Sequence, residues 1–273
     1  MLEEFSEKVS YLGPETSFTH QAAMKMFPKA QLVSMPGIPE VFKSVENSSV
    51  KFGVVPVENS TEGSVGVTLD FLLESGVKIV CETSLDIKHA LLSEFKIEEI
   101  EKVFSHPQAL AQCRNWIASN IPKAELVSVS STSMAAELAS KEQKSAAIAS
   151  LMTAEKFGLK VLAENIQDFS FNKTRFLVLS LSEIPNAKKN KTTIAFSTMH
   201  KAGALFNCIK AFKVYDINLT KIESRPSKKN AWEYVFFVDF EGDAQHSNSQ
   251  KALEELKENC IFFKTIGSFP VIQ

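Results

Sequence analysis

Four short segments of the 273-residue chain gather side chains able to bind a small anion and assist a departing group. Asn172-Lys-Thr-Arg-Phe176 sets a hydroxyl, Thr174, beside a guanidinium, Arg175, ahead of the apolar run Leu177-Val-Leu179. A guanidinium can clamp a carboxylate through two parallel N–H donors, and a positioned hydroxyl can donate to a leaving oxygen. In Val54-Val-Pro-Val-Glu-Asn-Ser-Thr-Glu-Gly-Ser-Val65 an apolar strand ends at Glu58, and Asn59, Ser60, Thr61 and Ser64 follow as donors, with Gly63 admitting close backbone approach. The spacing predicts a helix over 67–74 whose free N–H groups point the same way, which suits a carboxylate. Phe104-Ser-His-Pro-Gln-Ala-Leu-Ala-Gln-Cys113 places Pro107 at a first helical position, with Ser105 and His106 at the helix mouth. Gln108 and Gln112 lie one turn apart on one face of that helix. Leu12-Gly-Pro-Glu-Thr-Ser-Phe-Thr-His20 is a fourth turn of the same kind. Taken singly, the segments read more readily as ordinary helix caps or polar strand ends.

Other chemistries leave no mark. The five histidines, at 20, 89, 106, 200 and 246, are dispersed, and Cys81, Cys113, Cys208 and Cys260 form no CxxC pair, so no metal site is expected. There is no Walker loop, GxGxxG or GxSxG. Thirty basic against thirty-two acidic residues give a net charge of -2, which supplies no global field for nucleic acid or an anionic membrane. A hydrophobic fraction of 44% and a charged fraction of 23% are those of a globular domain. No run approaches the ~18 apolar residues of a membrane span, and the acidic start Met1-Leu-Glu-Glu-Phe5 resembles neither a secretory signal nor a transit peptide. A cytoplasmic protein with reduced thiols is the expectation.

The elements that must position these residues follow from the apolar patterning. Strands are expected at 9–12, 30–33, 52–55, 103–104, 126–129, 146–149 and 176–179, with helices at 19–27, 39–45, 107–118, 132–141 and 151–157. That alternation predicts an α/β fold with a largely parallel sheet, in one piece or two lobes, and ligands bind such sheets beyond the carboxyl ends of the strands. The polar stretch 182–191 reads as a linker. Beyond it the pattern becomes strand 192–197, helix 203–213, strands 217–224 and 232–240, helix 250–257 and strand 261–266, a βαββαβ order. Trp232, Tyr234, Phe236, Val238 and Phe240 alternate as on a half-buried strand.

In this order the segments resemble prephenate dehydratase: YLGPETSFTHQAA, GVVPVENSTEGSV, FSHPQALAQC and NKTRF are similar to that family's recurring blocks. KAGALF, KIESRPSK, WEYVFFVDFEG and the terminal IGSFP resemble the ACT regulatory domain commonly attached to it. The likeness runs from about Lys8 to the end. It implies a two-lobed catalytic region over 8–181, like type II periplasmic binding proteins, the linker 182–191, and a ferredoxin-like βαββαβ ACT domain over 192–273. It implies decarboxylating dehydration of prephenate to phenylpyruvate, without cofactor or metal, feedback-inhibited by L-phenylalanine. By motif, Thr174, Arg175, Asn59 and Ser105 carry over as catalytic residues, Thr174 as a positioned donor to the leaving hydroxyl. Glu58, Ser60, Thr61, His106, Gln112 and Phe176 carry over as the substrate's surroundings. Gly203, Ala204, Leu205, Glu223, Ser224, Arg225 and Pro226 match segments associated with phenylalanine, held between two ACT domains of a homodimer or homotetramer. Thr16 and Ala202 depart from a glycine and a proline common in the family, and the start near the dehydratase region implies the monofunctional form. Two alternatives share these residues: an arogenate dehydratase, with Glu58 as a candidate acceptor for the ammonium, and a non-catalytic amino-acid sensor.

Overall fold

The computed structural model describes residues 2–227 and 233–272. Trp232, part of the expected alternating strand, lies outside them. The described residues form three sheets. In the first, the order is Val271–Ile272, Lys78–Asp86, Lys173–Ser180, Phe52–Asn59, Lys8–Leu12 and Gln31–Met35, with Gly63–Ser64 paired on Phe52–Asn59. The first three strands in sequence are parallel, as expected, but Lys173–Ser180 runs antiparallel between Phe52–Asn59 and Lys78–Asp86. An apolar run such as Phe176-Leu-Val-Leu179 reads the same in either direction, so its pattern carries no sign of strand sense.

The second sheet, ordered Lys160–Glu164, Ala90–Ser93, Ser145–Ala149, Lys102–Ser105, Glu125–Ser128, is built wholly from the chain between Asp86 and Lys173. The polypeptide therefore crosses between the two lobes twice, through residues 87–89 and 165–172. Lys78–Asp86, Ala90–Ser93 and Lys160–Glu164 were not among the expected strands; the first two flank the short crossing Ile87-Lys-His89, which merges their patterns into one. The expected helix 107–118 is interrupted at Cys113, giving Pro107–Gln112 and Arg114–Asn120.

The third sheet, ordered Leu219–Pro226, Tyr234–Glu241, Lys191–Ser197, Phe262–Phe269, is antiparallel throughout and carries helices Ala204–Val214 and Ser247–Glu258 on one face, in the expected βαββαβ succession. Phe236, Val238 and Phe240 pack under those helices, whereas Val235 and Phe237 join Leu177, Leu179 and Ile79 in a core shared with the first sheet. Between its exposed ends, Tyr234 and Glu241, this strand is thus buried on both faces, not half-buried, because its second face meets another sheet rather than water. The contact is close: a Cβ on Gly267 would lie 2.2 Å from the Ile79 carbonyl oxygen. Beyond it, Val271–Ile272 crosses back to pair with Lys78–Asp86. All four cysteines are free, and burial pushes the Cys81 and Cys113 thiols up to about 12. Among the described residues no helix is long and apolar enough to cross a membrane.

Candidate active site

Thr174 and Asn59 are register partners on adjacent antiparallel strands, so their side chains share one face of the first sheet. The register shifts immediately afterwards, between Arg175 and Phe176, where the partner strand carries Pro56. Proline has no N–H to give a ladder, and strands tolerate it at such irregularities. Asn59 Nδ2 donates to Thr174 Oγ1 and to Asn172 Oδ1, each at 2.8 Å. The amide cannot turn over, because Asn59 Oδ1 accepts the backbone N–H groups of Thr61 and Glu62 and the Thr61 hydroxyl. Thr174 Oγ1 therefore receives a hydrogen bond from the protein and keeps its own proton for another acceptor.

That acceptor belongs in the cavity of about 300 Å³ that Thr174 helps to line, between the two lobes. Gln112 spans the cleft from the second lobe: its Nε2 donates to Thr61 Oγ1 at 3.2 Å, and its Oε1 accepts from Asn172 Nδ2 at 2.8 Å. Among the described residues neither Lys nor Arg lines the cavity, so charge for an anion comes from the backbone. The N-termini of helices Phe18–Met26, Gly66–Glu74 and Thr132–Ala139 open onto it through Ser17, Val65 and Ser131. Free N–H groups and the helix dipole make each a seat for negative charge. The first two belong to one lobe and the third to the other, so a molecule with two carboxylates can be gripped from both sides.

Of the residues expected at the site, Asn59, Thr174, His106, Gln112 and Phe176 line this cavity. His106 also caps helix Pro107–Gln112 by accepting from the Gln108 backbone N–H. Thr61 reaches the site through Gln112 and Asn59. Ser105 does not: it is fully buried and donates to the Ile148 carbonyl at 2.6 Å, tying two strands of the second sheet. Ser60 is exposed and bonds Phe171 and Lys173, pinning the returning crossing.

Arg175 also points away from the cavity. Strand alternation sends it to the opposite face from Thr174, where it donates to Glu58 at 2.6 Å, to Glu82 at 3.1 and 2.6 Å, and to Asp239 at 2.6 Å. Lys191 completes the Glu82 pairing, and Lys221 lies 3.2 Å from Glu58. Three cations thus meet three carboxylates where the third sheet packs on the first. Burial opposes the charge on Arg175, but its bonds to Glu82 and the fields of Asp239 and Glu82 outweigh burial and raise its pKa. Burial alone would raise the Glu58 carboxyl too; Arg175 and Lys221 reverse this and lower it. Each guanidinium nitrogen of Arg175 and each carboxylate oxygen of Glu58 holds a partner on that face, and neither residue lines the cavity, which corrects the carboxylate clamp expected of Arg175 and the ammonium acceptor expected of Glu58.

The expected effector residues divide. Gly203, Ala204 and Leu205 line a separate cavity of about 350 Å³ with Met199, Tyr234 and Phe236. Glu223 and Arg225 face the catalytic sheet: Glu223 accepts from Ser64 at 3.0 Å, and Arg225 reaches both Asp70 oxygens at 3.0 Å. Gly66 permits this, since a Cβ there would meet the Arg225 guanidinium at 2.5 Å. Ser224 and Pro226 are exposed on the other face of the same strand. Thr16 sits at φ +67°, the left-handed region natural to glycine, and its hydroxyl donates across the cleft to Ser133 at 3.0 Å. Sequence reasoning missed His89, Phe18, Ser131 and Thr132 on the cavity wall. His89 lies in a three-residue crossing without a motif around it, and only its place between two apolar runs could have singled it out. No cluster of three metal-ligating side chains occurs among the described residues.

Known proteins are similar to this chain along nearly its whole length. The bifunctional chorismate mutase/prephenate dehydratase of Aquifex aeolicus is 47% identical over 265 residues, covering 96% of this chain and 73% of that protein. The prephenate dehydratase of Methanocaldococcus jannaschii is 38% identical, covering 97% of this chain and 99% of its own. The crystal structure of the Arthrobacter aurescens prephenate dehydratase in complex with L-Phe superposes with a TM-score of 0.88 at 29% identity, covering 96% of this chain and 89% of that one. With residues 9–184 matching the family model for prephenate dehydratase, Thr174, Asn59 and their cleft included, the chain belongs to the prephenate dehydratase family.

Proposed function

We propose that this protein converts prephenate to phenylpyruvate, and that Thr174 donates its hydroxyl proton in a hydrogen bond to the departing oxygen. The prephenate dianion takes up one proton, its C4–O bond breaks to release water, and the bond to the ring carboxylate breaks to release carbon dioxide. The electron pair of that second bond completes the aromatic ring. Aromatisation supplies the driving force, so the protein's share is orientation and stabilisation of charge growing on the leaving oxygen. The observation that carries the reading is the fixed Asn59 amide, which leaves the Thr174 O–H as a preset donor at the cavity wall. Helix N-termini on both lobes suit the two carboxylates of the substrate.

The C-terminal residues 192–273 we read as an ACT regulatory domain that binds L-phenylalanine, joined to the catalytic region 8–181 through the linker 182–191. The Arthrobacter aurescens relative was crystallised with L-Phe. The cavity beside Gly203-Ala-Leu205 has the aromatic wall, Tyr234 and Phe236, that a phenyl ring needs. Ser224, Pro226 and the exposed Ile222 lie on the outer strand of the third sheet, open to a second copy, and support effector binding within a dimer or tetramer. Phenylpyruvate release from prephenate by the purified protein, with and without L-phenylalanine, tests both readings. Turnover suppressed by the amino acid is expected; no turnover overturns the catalytic reading, and turnover without suppression overturns the regulatory one.

A further inference from the structure

His89 sits in the crossing between the lobes, is 3% exposed, and lines the catalytic cavity with its ring edge-on to Phe18. Its Nε2 is 3.0 Å from Gln112 Oε1, and its Nδ1 is buried with no hydrogen-bond partner among the described residues. The surrounding bonds decide which nitrogen carries the proton. The Thr61 and Glu62 backbone N–H groups fix Asn59 Oδ1, so Asn59 Nδ2 donates to Asn172 Oδ1. Asn172 Nδ2 then has to donate to Gln112 Oε1. That oxygen only accepts, so His89 must meet it with Nε2–H, and a neutral ring then leaves Nδ1 as a bare lone pair. Burial, partly offset by the bond to Gln112, lowers the pKa of the ring and keeps it neutral.

We propose that His89 is a further substrate-contacting residue, whose Nδ1 accepts a hydrogen bond from the C4 hydroxyl of the substrate. That hydroxyl is the only donor on a prephenate dianion. Its proton held by Nδ1 turns the oxygen lone pairs toward Thr174, so the two residues orient one group from two sides.

The inference rests on the dehydratase reading, and two substitutions separate it from that reading. In His89→Gln the side-chain nitrogen takes the place of Nε2–H and keeps the bond to Gln112, but the Nδ1 acceptor is lost. In His89→Asn the side-chain oxygen takes the place of Nδ1 while the bond to Gln112 is lost. With unfolding midpoints recorded for both, kcat and KM are measured for prephenate and for arogenate, which shares the C4 hydroxyl. The expected result is a loss of at least tenfold in kcat/KM on both substrates for His89→Gln, and a loss within threefold for His89→Asn. Wild-type turnover with His89→Gln unimpaired, or with His89→Asn the worse of the two, overturns the assignment and leaves the dehydratase reading intact. A loss confined to arogenate moves the contact to the ammonium and likewise overturns it. Absence of turnover in the unsubstituted protein overturns the dehydratase reading itself.

Discussion

Lys221 Nζ lies 3.2 Å from Glu58 Oε1, joining the outer strand of the third sheet to the residue that precedes Asn59. The same ammonium donates to Ser64 at 2.7 Å, and Ser64 donates onward to Glu223. Any rearrangement of strand Leu219–Pro226 is therefore felt at the turn that holds the Asn59 amide. Exchange of Lys221 for Met keeps the aliphatic stem and removes the charge. The expected outcome is turnover within threefold of the parent and a half-inhibitory L-phenylalanine concentration at least fivefold higher, in line with couplings of about 1–3 kcal/mol. Unchanged inhibition would show that the effector signal bypasses this contact.

Thr174→Ala removes the donor while leaving a cavity no larger than a hydroxyl and a methyl. Asn59 Nδ2 keeps its bond to Asn172, so the loss of stability should stay within about 1–2 kcal/mol. Turnover should fall about 10²-fold or more, with little change in KM, because the interaction strengthens as charge grows on the leaving oxygen. Thr174→Ser should recover most of the rate. A serine variant as slow as the alanine variant would remove the hydroxyl from the mechanism.

Arg175 predicts a different signature, one of folding. Its removal takes a shared cation from Glu82 and Asp239, whose side chains are 4% and 6% exposed. Breaking a buried pair from one side costs about 3–5 kcal/mol. Arg175→Ala should therefore lower the urea midpoint markedly and loosen the third sheet from the first, seen as faster proteolysis near residues 182–190. Arg175→Lys should recover only part of this, since one ammonium cannot reach three carboxylates in a planar fork. An alanine variant of unchanged stability but lost substrate binding would return Arg175 to the clamp role that its sequence position suggested.

The contrast between Thr174 and Arg175 shows what the sequence holds and what it withholds. Both were legible as chemistry, because a hydroxyl and a guanidinium beside an apolar run are visible in one line of text. Adjacent residues on a strand face opposite ways, however, and nothing local says which face meets the cavity. Ser105 and Asn59 differ likewise: each ends a strand, but the carbonyl that captures Ser105, that of Ile148, is 43 residues away. The βαββαβ succession was legible because its periodicity switches cleanly. The antiparallel return of Lys173–Ser180 was not, since pairing sense is decided by where the chain re-enters the sheet. His89 escaped notice because its role depends on a chain of amides that only the fold assembles.

His89 and His20 give a pH dependence with a definite sign. Burial lowers the pKa of both below the ordinary 6.5, against a favourable field from Glu15 at His20 and the bond to Gln112 at His89. The unfolded chain takes up a proton on each ring near pH 6.5, whereas the folded chain resists it. Stability is accordingly full above about pH 6.5 and declines as pH falls toward the folded values, by at most about 1.4 kcal/mol per group between pH 6.5 and 5.5. Glu58 and Glu183, held below the ordinary carboxylate range, act only at lower pH, so the two windows separate. Urea unfolding at pH 7.5 and 5.5 should show a lower midpoint at the acid value for the parent and a smaller difference for His89→Gln. A midpoint independent of pH across that interval, or a difference untouched by the substitution, would mean that the His89 ring accepts its proton in the fold as readily as in water.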